Sequence, residues 1–511
     1  MTRWRKLGIA LAALIAVAVA VLLAAGEYLS TYAHRQLIEV LRERYQSDVK
    51  VRSTRVSLLP PFGAALEGLE FRHHGRTDVP PLISIGRATA TIGIAGLLQT
   101  PKRVREVRLE GLQIHIPPRG EQKAGDERAR PGRPRRSPFV IERIVADGTT
   151  LWVLPRRPGK QPLEFDIRRL RLRHVGIDRP MNFDAELQNA KPPGAIRSHG
   201  RFGPWAAADP GDSPVSGDYT FENADLSVFR GIRGILSSQG SYRGKLERID
   251  VQGATDTPDF TVSGQPVHLK TEFSATVDGT DGDTYLHPVT AHFLRSTVVA
   301  SGSIAGTPGV KGKTVSLDAT MDGGRIEDIL RLAVKSDPPA LTGGLSFRSK
   351  MLIPPGDADV IEKLYLKGTF GVGSGRFTGA RAREKIETLS RRARGDTGAA
   401  VGEGVASNFN GAFVLRNGTI DFSRLRFTIP GAAILLAGNY GIRSGEIDLR
   451  GRARLDAKPS EMTTGVKSFF LKLADPLFKR KDNRAGSEIP IRIQGTREHP
   501  SAGLDAGKVL K

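Results

Sequence analysis

The sequence predicts a mainly β fold: an elongated, curled antiparallel sheet or groove of many short strands with few helices, behind one N-terminal transmembrane helix. Residues 7–25 contain no charged side chain and form one apolar run. Most of the remaining chain alternates apolar and polar residues with the period of two that half-buried strands require. Glycine accounts for 58 of the 511 residues, which fits many turns and bulges.

Residues 1–26 are predicted to be a transmembrane anchor. At a helical rise of ~1.5 Å per residue the apolar run spans ~29 Å, enough to cross the core of a bilayer. Arg3, Arg5 and Lys6 precede the run, so the positive-inside rule places the N-terminus in the cytoplasm and exports the bulk of the chain. A cleaved signal peptide is the alternative, since Ala24, Ala25 and Gly26 could form a cleavage site.

The formal net charge is +22. A strongly basic protein usually binds nucleic acid or an anionic membrane surface. Export makes nucleic acid a poor partner and anionic phospholipid, or another acyl-chain lipid, a better one; a merely solubilising surface is the alternative. The chain has no cysteine, so the exported part folds without disulfides, and the sequence indicates no cofactor.

Periodicity divides the chain after the anchor into four parts. Residues 27–117 are predicted to form a membrane-proximal helix (27–45) and an N-terminal β module. Residues 118–138 form a basic linker rich in proline and glycine, residues 139–457 an elongated β region, and residues 458–511 a C-terminal helix (461–477) with a closing strand. Helices are also predicted at 325–334 and 381–394, among roughly 25 strands.

A short repeat marks the N-terminal module. Residues 66–71 read LEGLEF, and residues 109–114 read LEGLQI. The apolar phase reverses at the glycine in both copies, which is typical of a β-bulge. Asp147-Gly148, Asp278-Gly279 and Asn417-Gly418 are predicted turns between strands.

So few helices cannot cover one face of about 25 strands. The apolar face must be covered by a second sheet, by closure of the sheet on itself, or by an apolar ligand.

Two stretches resemble the AsmA-like family of bacterial inner-membrane proteins. The first comprises residues 56–60, 66–69, 97–98 and 104–116, and the second comprises residues 411–413, 417–420, 427–433, 438–440 and 493–496 with Pro500. The resemblance implies an inner-membrane-anchored, periplasmic β-groove that takes part in outer-membrane and envelope assembly. Some larger relatives are bridge-like lipid carriers whose curled sheet presents an apolar inner face to acyl chains. The family contributes no catalytic residues, and a stack of about 25 strands at ~4.8 Å measures at most ~120 Å, which is short for a complete bridge.

Motifs for catalysis or metal binding are not found in the sequence. Residues 306–314 resemble a phosphate-binding loop, but they have five residues between the outer glycines and precede a strand, so a β-turn is expected. Asp278, Asp281 and Asp283 lack the EF-hand spacing and are expected in a hairpin loop. The pairs His73/His74 and His287/His292 have no evident ligand partners and are expected at the surface. We therefore expect a protein that is not an enzyme.

The predicted C-terminal helix carries the candidate site residues. Its apolar face and the basic residues after it are the possible lipid or membrane contacts: Met462, Val466, Phe469, Phe470, Leu473, Leu477, Lys479, Arg480 and Lys481. Such a helix either caps the end of the sheet, or acts as a lid on a groove or as a foot on an anionic membrane.

The function expected from the sequence is passive lipid handling, or assistance to envelope assembly, by a membrane-anchored periplasmic β protein. Apolar strand residues would shield acyl chains, and basic rims would meet anionic headgroups. The alternative is a dry β scaffold that acts as a structural or assembly factor through envelope protein partners.

Overall fold

In the computed structural model the strands form one 24-stranded sheet, curled into a half-barrel, and the predicted mainly β fold is confirmed. The structure describes residues 47–118, 139–395, 405–458 and 487–505 except 58–61, 74–76, 94–98, 100–101, 156–158, 177–178, 207–208, 263, 335–336 and 498, together with residues 31, 34, 35, 38 and 39. Those last five residues are helical and fall in the predicted helix 27–45. The predicted anchor lies outside the described residues, and no helix among the described residues has the length and hydropathy needed to span a bilayer.

The sheet begins with a meander of five strands: β1 (Ser47–Lys50), β2 (Ser53–Ser57), β3 (Gly63–His73), β4 (Ile83–Ile92) and β5 (Lys102–Ile116). β1 and β2 lie in line and both pair with β3, so the 24 strands occupy 23 positions across the sheet. At ~4.8 Å per position the sheet measures about 105 Å from edge to edge.

The next strand, β6 (Phe139–Val153), runs parallel to β5. This pair differs from the predicted antiparallel sheet. Lys102 lies opposite Phe139 and Ile116 lies opposite Val153, so the chain leaves β5 at one end and enters β6 at the other. Parallel neighbours need a crossover of a dozen or more residues, which is the physical reason for the long connection at 117–138.

A second meander follows from β6, and each consecutive pair in it is antiparallel. Its first half contains β7 (Leu163–Val175), β8 (Met181–Ala190), β9 (Pro193–Phe202), β10 (Pro214–Asp225), β11 (Ile235–Lys245), β12 (Arg248–Phe260), β13 (Val267–Asp278), β14 (Thr284–Phe293) and β15 (Ser296–Gly306). Its second half contains β16 (Lys313–Arg325), β17 (Leu341–Ile353), β18 (Tyr365–Phe377), β19 (Ser407–Arg416), β20 (Thr419–Ile429), β21 (Ala432–Gly441), β22 (Glu446–Leu455), β23 (Ser487–Thr496) and β24 (Pro500–Leu504).

Three α-helices are described: α1 (Ile326–Ala333), α2 (Val360–Lys363) and α3 (Ala380–Ala393), besides the 3₁₀ turns Pro210–Asp212 and Leu226–Val228. α1 and α3 confirm the predicted helices at 325–334 and 381–394. The single turn of α2 was not predicted, because four residues show no helical periodicity. The predicted helix at 461–477 lies outside the described residues.

The strand ends form two lips along the curled sheet. From β6 onward, lip A consists of the connections that follow odd-numbered strands, and lip B consists of those that follow even-numbered strands. The turns at Asp278-Gly279 and Asn417-Gly418, and the turn within 306–314, are on lip A as predicted turns. α1 and α3 follow β16 and β18, so both helices lie at lip B.

Glycines at one level of the sheet reverse the apolar phase of neighbouring strands. Gly68, Gly111 and Gly148 adopt left-handed φ values of 63°, 65° and 68°. Leu109 and Leu112 are both buried, which confirms the predicted reversal at Gly111. The pairing keeps its register, because β3, β4, β5 and β6 all reverse at the same level, so no extra residue is inserted as in a β-bulge. Asp147-Gly148, predicted as a turn, instead lies inside β6.

Candidate functional site

The apolar face of the sheet is continuous across β17 to β23. Because paired residues share a face, the register assembles apolar rows that run across the strands. The row nearest lip B that is paired through all seven strands is Leu345, Val372, Phe409, Phe427, Ile434, Ala453 and Ile489. The next row is Phe347, Phe370, Gly411, Leu425, Leu436, Gly451 and Ile491.

Phenylalanine rings fill the middle of these rows. Phe409 stacks on Phe427 with ring centroids 4.7 Å apart, and Phe377 meets both rings edge-on. Phe370 lies across Gly411, where an added Cβ would come within 3.0 Å of the ring. A glycine opposite an aromatic residue has no side chain, so the ring can lie over the glycine backbone.

α1 and α3 cover this face next to lip B. Ile326, Ile329 and Leu332 of α1 pack in the cluster that contains Met321 and Leu345. Ile386, Leu389 and Ala393 of α3 pack in the cluster that contains Phe427 and Ile429. The apolar surface near lip B is therefore closed by packing.

Buried carboxylates fasten α1 to the sheet. Glu327 is bound by the Arg295 guanidinium at 2.6 Å and by the Gly343 N–H at 3.0 Å. Asp328 accepts hydrogen bonds from the Arg295 N–H and the Ser296 hydroxyl at 3.0 and 2.7 Å. Burial opposes the charge of Glu327, but hydrogen bonds from backbone N–H groups and from the Arg325 guanidinium lower its pKa below the ordinary value. The hydrogen bonds and ion pairs of Glu327 and Asp328 therefore hold α1 against the sheet.

The row nearest lip A is different. It comprises Leu317, Met351, Leu366, Leu415, Ile420, Tyr440 and Ile447, and all of these except Leu415 are only half-buried. Water-exposed apolar area costs about 25 cal/mol per Å², so a continuous row that is only partly buried favours an apolar ligand or partner.

The middle of the same face, across β9 to β13, carries hydroxyl groups. The Tyr242 and Ser198 hydroxyls are 2.7 Å apart, the Tyr219 and Ser238 hydroxyls are 3.1 Å apart, and a threonine pair lies beside them on β12 and β13. Burial raises the pKa of both tyrosines, so both phenols keep their protons at neutral pH. This part of the wall mixes hydrogen-bonded hydroxyl groups with apolar side chains such as Phe221, Val251 and Phe273.

The two lips meet around this hydroxyl-lined part. The ammonium of Lys160, in the β6–β7 connection of lip B, lies 3.0 Å from Asp281 and also binds Asp283 in the β13–β14 turn of lip A. The Gly309 N–H donates to the Gly159 carbonyl at 3.1 Å. We call these contacts the lip junction. A sheet twists by about 20–25° per strand, or roughly half a turn over seven or eight strands, which brings lip B at β6 alongside lip A at β13 to β16.

The lip junction is buried and charged. The Lys160 side chain is 4% exposed, and Asp281 and Asp283 are 6% and 4% exposed. Burial opposes the charges, yet the mutual hydrogen bonds raise the pKa of Lys160 and lower the pKa of Asp283. Burial lowers the pKa of Lys313, the second cation of the group, 3.8 Å from Asp283. The predicted aspartate hairpin is confirmed, and its carboxylates bind lysine.

Apolar side chains support the junction from inside the curl. Val153 from β6 and Phe165 from β7 share a cluster with Trp205 and Leu246 from lip A. Since Val153 and Phe165 belong to the apolar face, the sheet curls around that face and leaves the polar face outside.

A second contact joins the lips further along. The Val360 N–H of α2, on lip A, donates to the Arg230 carbonyl of lip B at 2.8 Å. Lys191 lies 3.8 Å from Asp357 and 5.4 Å from the ring centre of Phe229. The lips are therefore linked from the level of β6 to that of β18.

The polar face carries an open depression of about 830 Å³. Arg201, Asp218, Arg243, Asp250 and His287 are among the residues that line it. His287 faces the Thr276 hydroxyl at 3.0 Å, and His292 faces the Thr297 hydroxyl at 2.9 Å. Among the described residues no cluster of three or more histidine, cysteine, aspartate or glutamate side chains has metal-binding geometry.

The nine site residues predicted on the C-terminal helix and after it lie outside the described residues. The described chain fixes only the position of that connection, because β22 ends at Leu455 and β23 begins at Ser487, both at lip B. The apolar rows were not predicted as a site, although the alternation of each strand was evident in the sequence. Only the register shows which residues share a row.

Comparison with known proteins adds no relative: no family model, no curated protein and no solved structure matches the chain.

Proposed function

We propose that this chain is a membrane-anchored periplasmic β-groove protein of the AsmA-like kind, which handles lipid or assists outer-membrane assembly without catalysis. The single observation that carries the proposal is the apolar face of β17 to β23. One sheet, with no second sheet packed on it among the described strands, presents apolar rows on the inside of its curl, and the row nearest lip A is only partly buried. An acyl chain is the ligand that such a row fits, because it needs contact area and no hydrogen-bonding partner.

Photo-crosslinking in cells tests this function with matched positions. Met351 points into the curl, and its neighbour Leu352 is 41% exposed on the polar face. Phe413 and Ala412 are a second such pair on β19. A photoreactive phenylalanine at Met351 or Phe413 should yield lipid adducts by mass spectrometry, while the same residue at Leu352 or Ala412 should not. Protein adducts in place of lipid at the inward positions would contradict the proposal and favour the dry scaffold.

The proposed location has a separate test. A reporter that functions only outside the cytoplasm, fused after Lys511, should be active if residues 7–25 anchor an exported chain. A cytoplasmic reporter active at the same position would refute the periplasmic location.

A further inference from the structure

Basic side chains are in excess on the polar face of β17 to β23. The lysines and arginines that this face carries are Arg348, Lys350, Lys367, Arg376, Arg416, Arg424, Arg426, Arg450, Arg452, Arg454 and Arg492. The acidic residues of the same strands and face are Asp421, Glu446, Asp448 and Glu488.

Ion pairs neutralise part of this surface. Glu488 binds Arg452 at 2.8 Å and Arg454 at 3.2 Å, and Asp448 binds Arg492 at 3.0 Å. Four other cations of this face are Arg348, Lys367, Arg424 and Arg426. Within the part of the chain that the structure describes, none of them pairs with a carboxylate. We call this group the basic patch. Its four side chains are exposed.

The register places the members of the basic patch close together. Arg348 and Arg424 share one row through Thr369 and Ala412, three strand spacings or about 14 Å apart. Arg426 lies two residues beyond Arg424 on the same face. Four unneutralised cations within this area create a local positive potential that attracts anions.

The polar face near β6 to β10 is built differently. Asp147, Arg169, Glu186, Arg197 and Glu222 alternate in sign across successive strands. Arg169 lies 3.7 Å from Asp147 and 3.5 Å from Glu186, and Arg197 lies 3.8 Å from Glu222. In this charge ladder Arg169 and Arg197 therefore already have carboxylate partners, unlike the four members of the basic patch.

The surroundings of the basic patch indicate the kind of partner. Small and aliphatic side chains such as Ala412, Val414 and Leu435 separate the cations. Leu352 and Tyr365, paired across β17 and β18, are 41% and 38% exposed beside Lys367. Cations mixed with exposed aliphatic and aromatic side chains suit the headgroup region of a bilayer, which offers many phosphates and no fixed pattern of hydrogen bonds.

We infer that the basic patch on the polar face of β17 to β20 is a docking surface for an anionic membrane leaflet. It lies outside the curl, so the inference does not depend on what the apolar face binds. Docking there would hold the C-terminal half of the sheet against a lipid surface while the apolar rows stay on the other side of the wall.

Flotation with vesicles tests the inference on the full chain held in a nonionic amphipathic polymer. The protein should float with phosphatidylcholine vesicles that contain about 30% phosphatidylglycerol and not with pure phosphatidylcholine. The double variant Arg424→Gln/Arg426→Gln should bind the anionic vesicles at least about tenfold more weakly at low salt, and the difference from wild type should shrink at about 0.5 M salt.

The charge ladder supplies the matched control. Arg169→Gln/Arg197→Gln removes the same charge from the same face and should bind nearly as the wild type does. The conservative variant Arg424→Lys/Arg426→Lys should retain binding, which separates loss of charge from misfolding. Equal losses in the two glutamine variants, or binding that does not depend on phosphatidylglycerol, would overturn the inference. Capture by immobilised polyglutamate that depends on the basic patch, without vesicle binding, would assign the surface to an acidic protein and would also overturn it.

Discussion

Two parts of one sheet differ in how their inner face is covered. Across β17 to β23 the inner face is apolar, and packing with α1 and α3 stabilises it. Across β9 to β13 the inner face carries paired hydroxyl groups, and the lip junction closes the curl around it. A single β meander can therefore change from an almost wholly apolar inner face to one that mixes hydroxyl and apolar side chains, without changing its strand pattern. Cross-strand register and the connections decide which of the two forms.

Phe427→Ala should have the largest effect and should weaken the apolar part selectively. Phe427 is 8% exposed and stacks on Phe409, so its truncation leaves a cavity and should lower the free energy of unfolding by about 3–5 kcal/mol. Denaturant unfolding measures this change. Val414→Ala on the outer face of the adjacent strand β19 is the control and should cost less than about 1 kcal/mol. Equal costs for both variants would show that the phenylalanine rows do not form the core of this part.

Lys160→Met should instead weaken the part that the lip junction closes. The change leaves Asp281 and Asp283 buried without their main cation, and breaking a buried pair from one side costs about 3–5 kcal/mol. We expect the lower end of that range, because Lys313 still faces Asp283. Hydrogen exchange should speed up in the 279–283 turn and at β6 to β7, while β20 to β22 keep their protection. Faster exchange throughout the sheet would contradict the separation of the two parts.

Acid should loosen the lip junction before it affects the apolar rows. The lowered pKa of Asp283 contributes stability above its unfolded value of about 3.9, and this contribution is lost as pH falls through the folded value. The raised pKa of Lys160 contributes stability below about 10.4, lost as pH rises through the folded value. On the alkaline side Lys313, with its lowered pKa, loses its proton first. As the pH falls below about 4 the thermal midpoint of the wild type should fall more than that of Lys160→Met, and parallel curves would refute the assignment.

Tyr242→Phe should have the smallest effect of the series. It removes one hydroxyl from the inner face, while Ser198 keeps its hydrogen bond to the Asp218 carbonyl at 2.9 Å, so the cost should be about 1 kcal/mol. The thermal midpoint measures it. A stabilised variant would show that the hydroxyl pairs are kept for a reason other than stability.

The sequence predicted individual strands well because the alternation is local. α1 and α3 were predicted from their periodicity, and the Asp278-Gly279 turn from its residues. The parallel pair of β5 and β6 was not predictable, since nothing in either strand records its direction. The phase reversal at Gly68 and Gly111 was predicted correctly. Gly148 lies at the same level of the sheet, so Asp147-Gly148 is part of strand β6 and the prediction of a turn there was wrong.

The candidate site depended on information that the sequence does not display. Phe347, Phe370 and Leu436 are far apart in the chain and share a row only through register. The contact of Lys160 with Asp281 depends on the twist accumulated over many strands. Ion pairing with carboxylates also decides which arginines keep an unneutralised charge. The number of charged residues along the chain does not show which arginines are paired.

The parallel pair of β5 and β6 has a consequence for how the chain reaches its folded state. Most other neighbouring pairs are joined by short connections, and such local contacts form quickly; β18–β19 and β22–β23, joined by residues 378–406 and 456–486, are the exceptions. Pairing of β5 with β6 requires closure of the connection at 117–138 and correct alignment of two long strands. The entropic cost of closing this loop comes before any contact between the two strands forms. The strands of the two meanders can therefore pair independently, and pairing of β5 with β6 joins the meanders in a later step. During biogenesis the unpaired edges of β5 and β6 are therefore among those exposed to wrong partners.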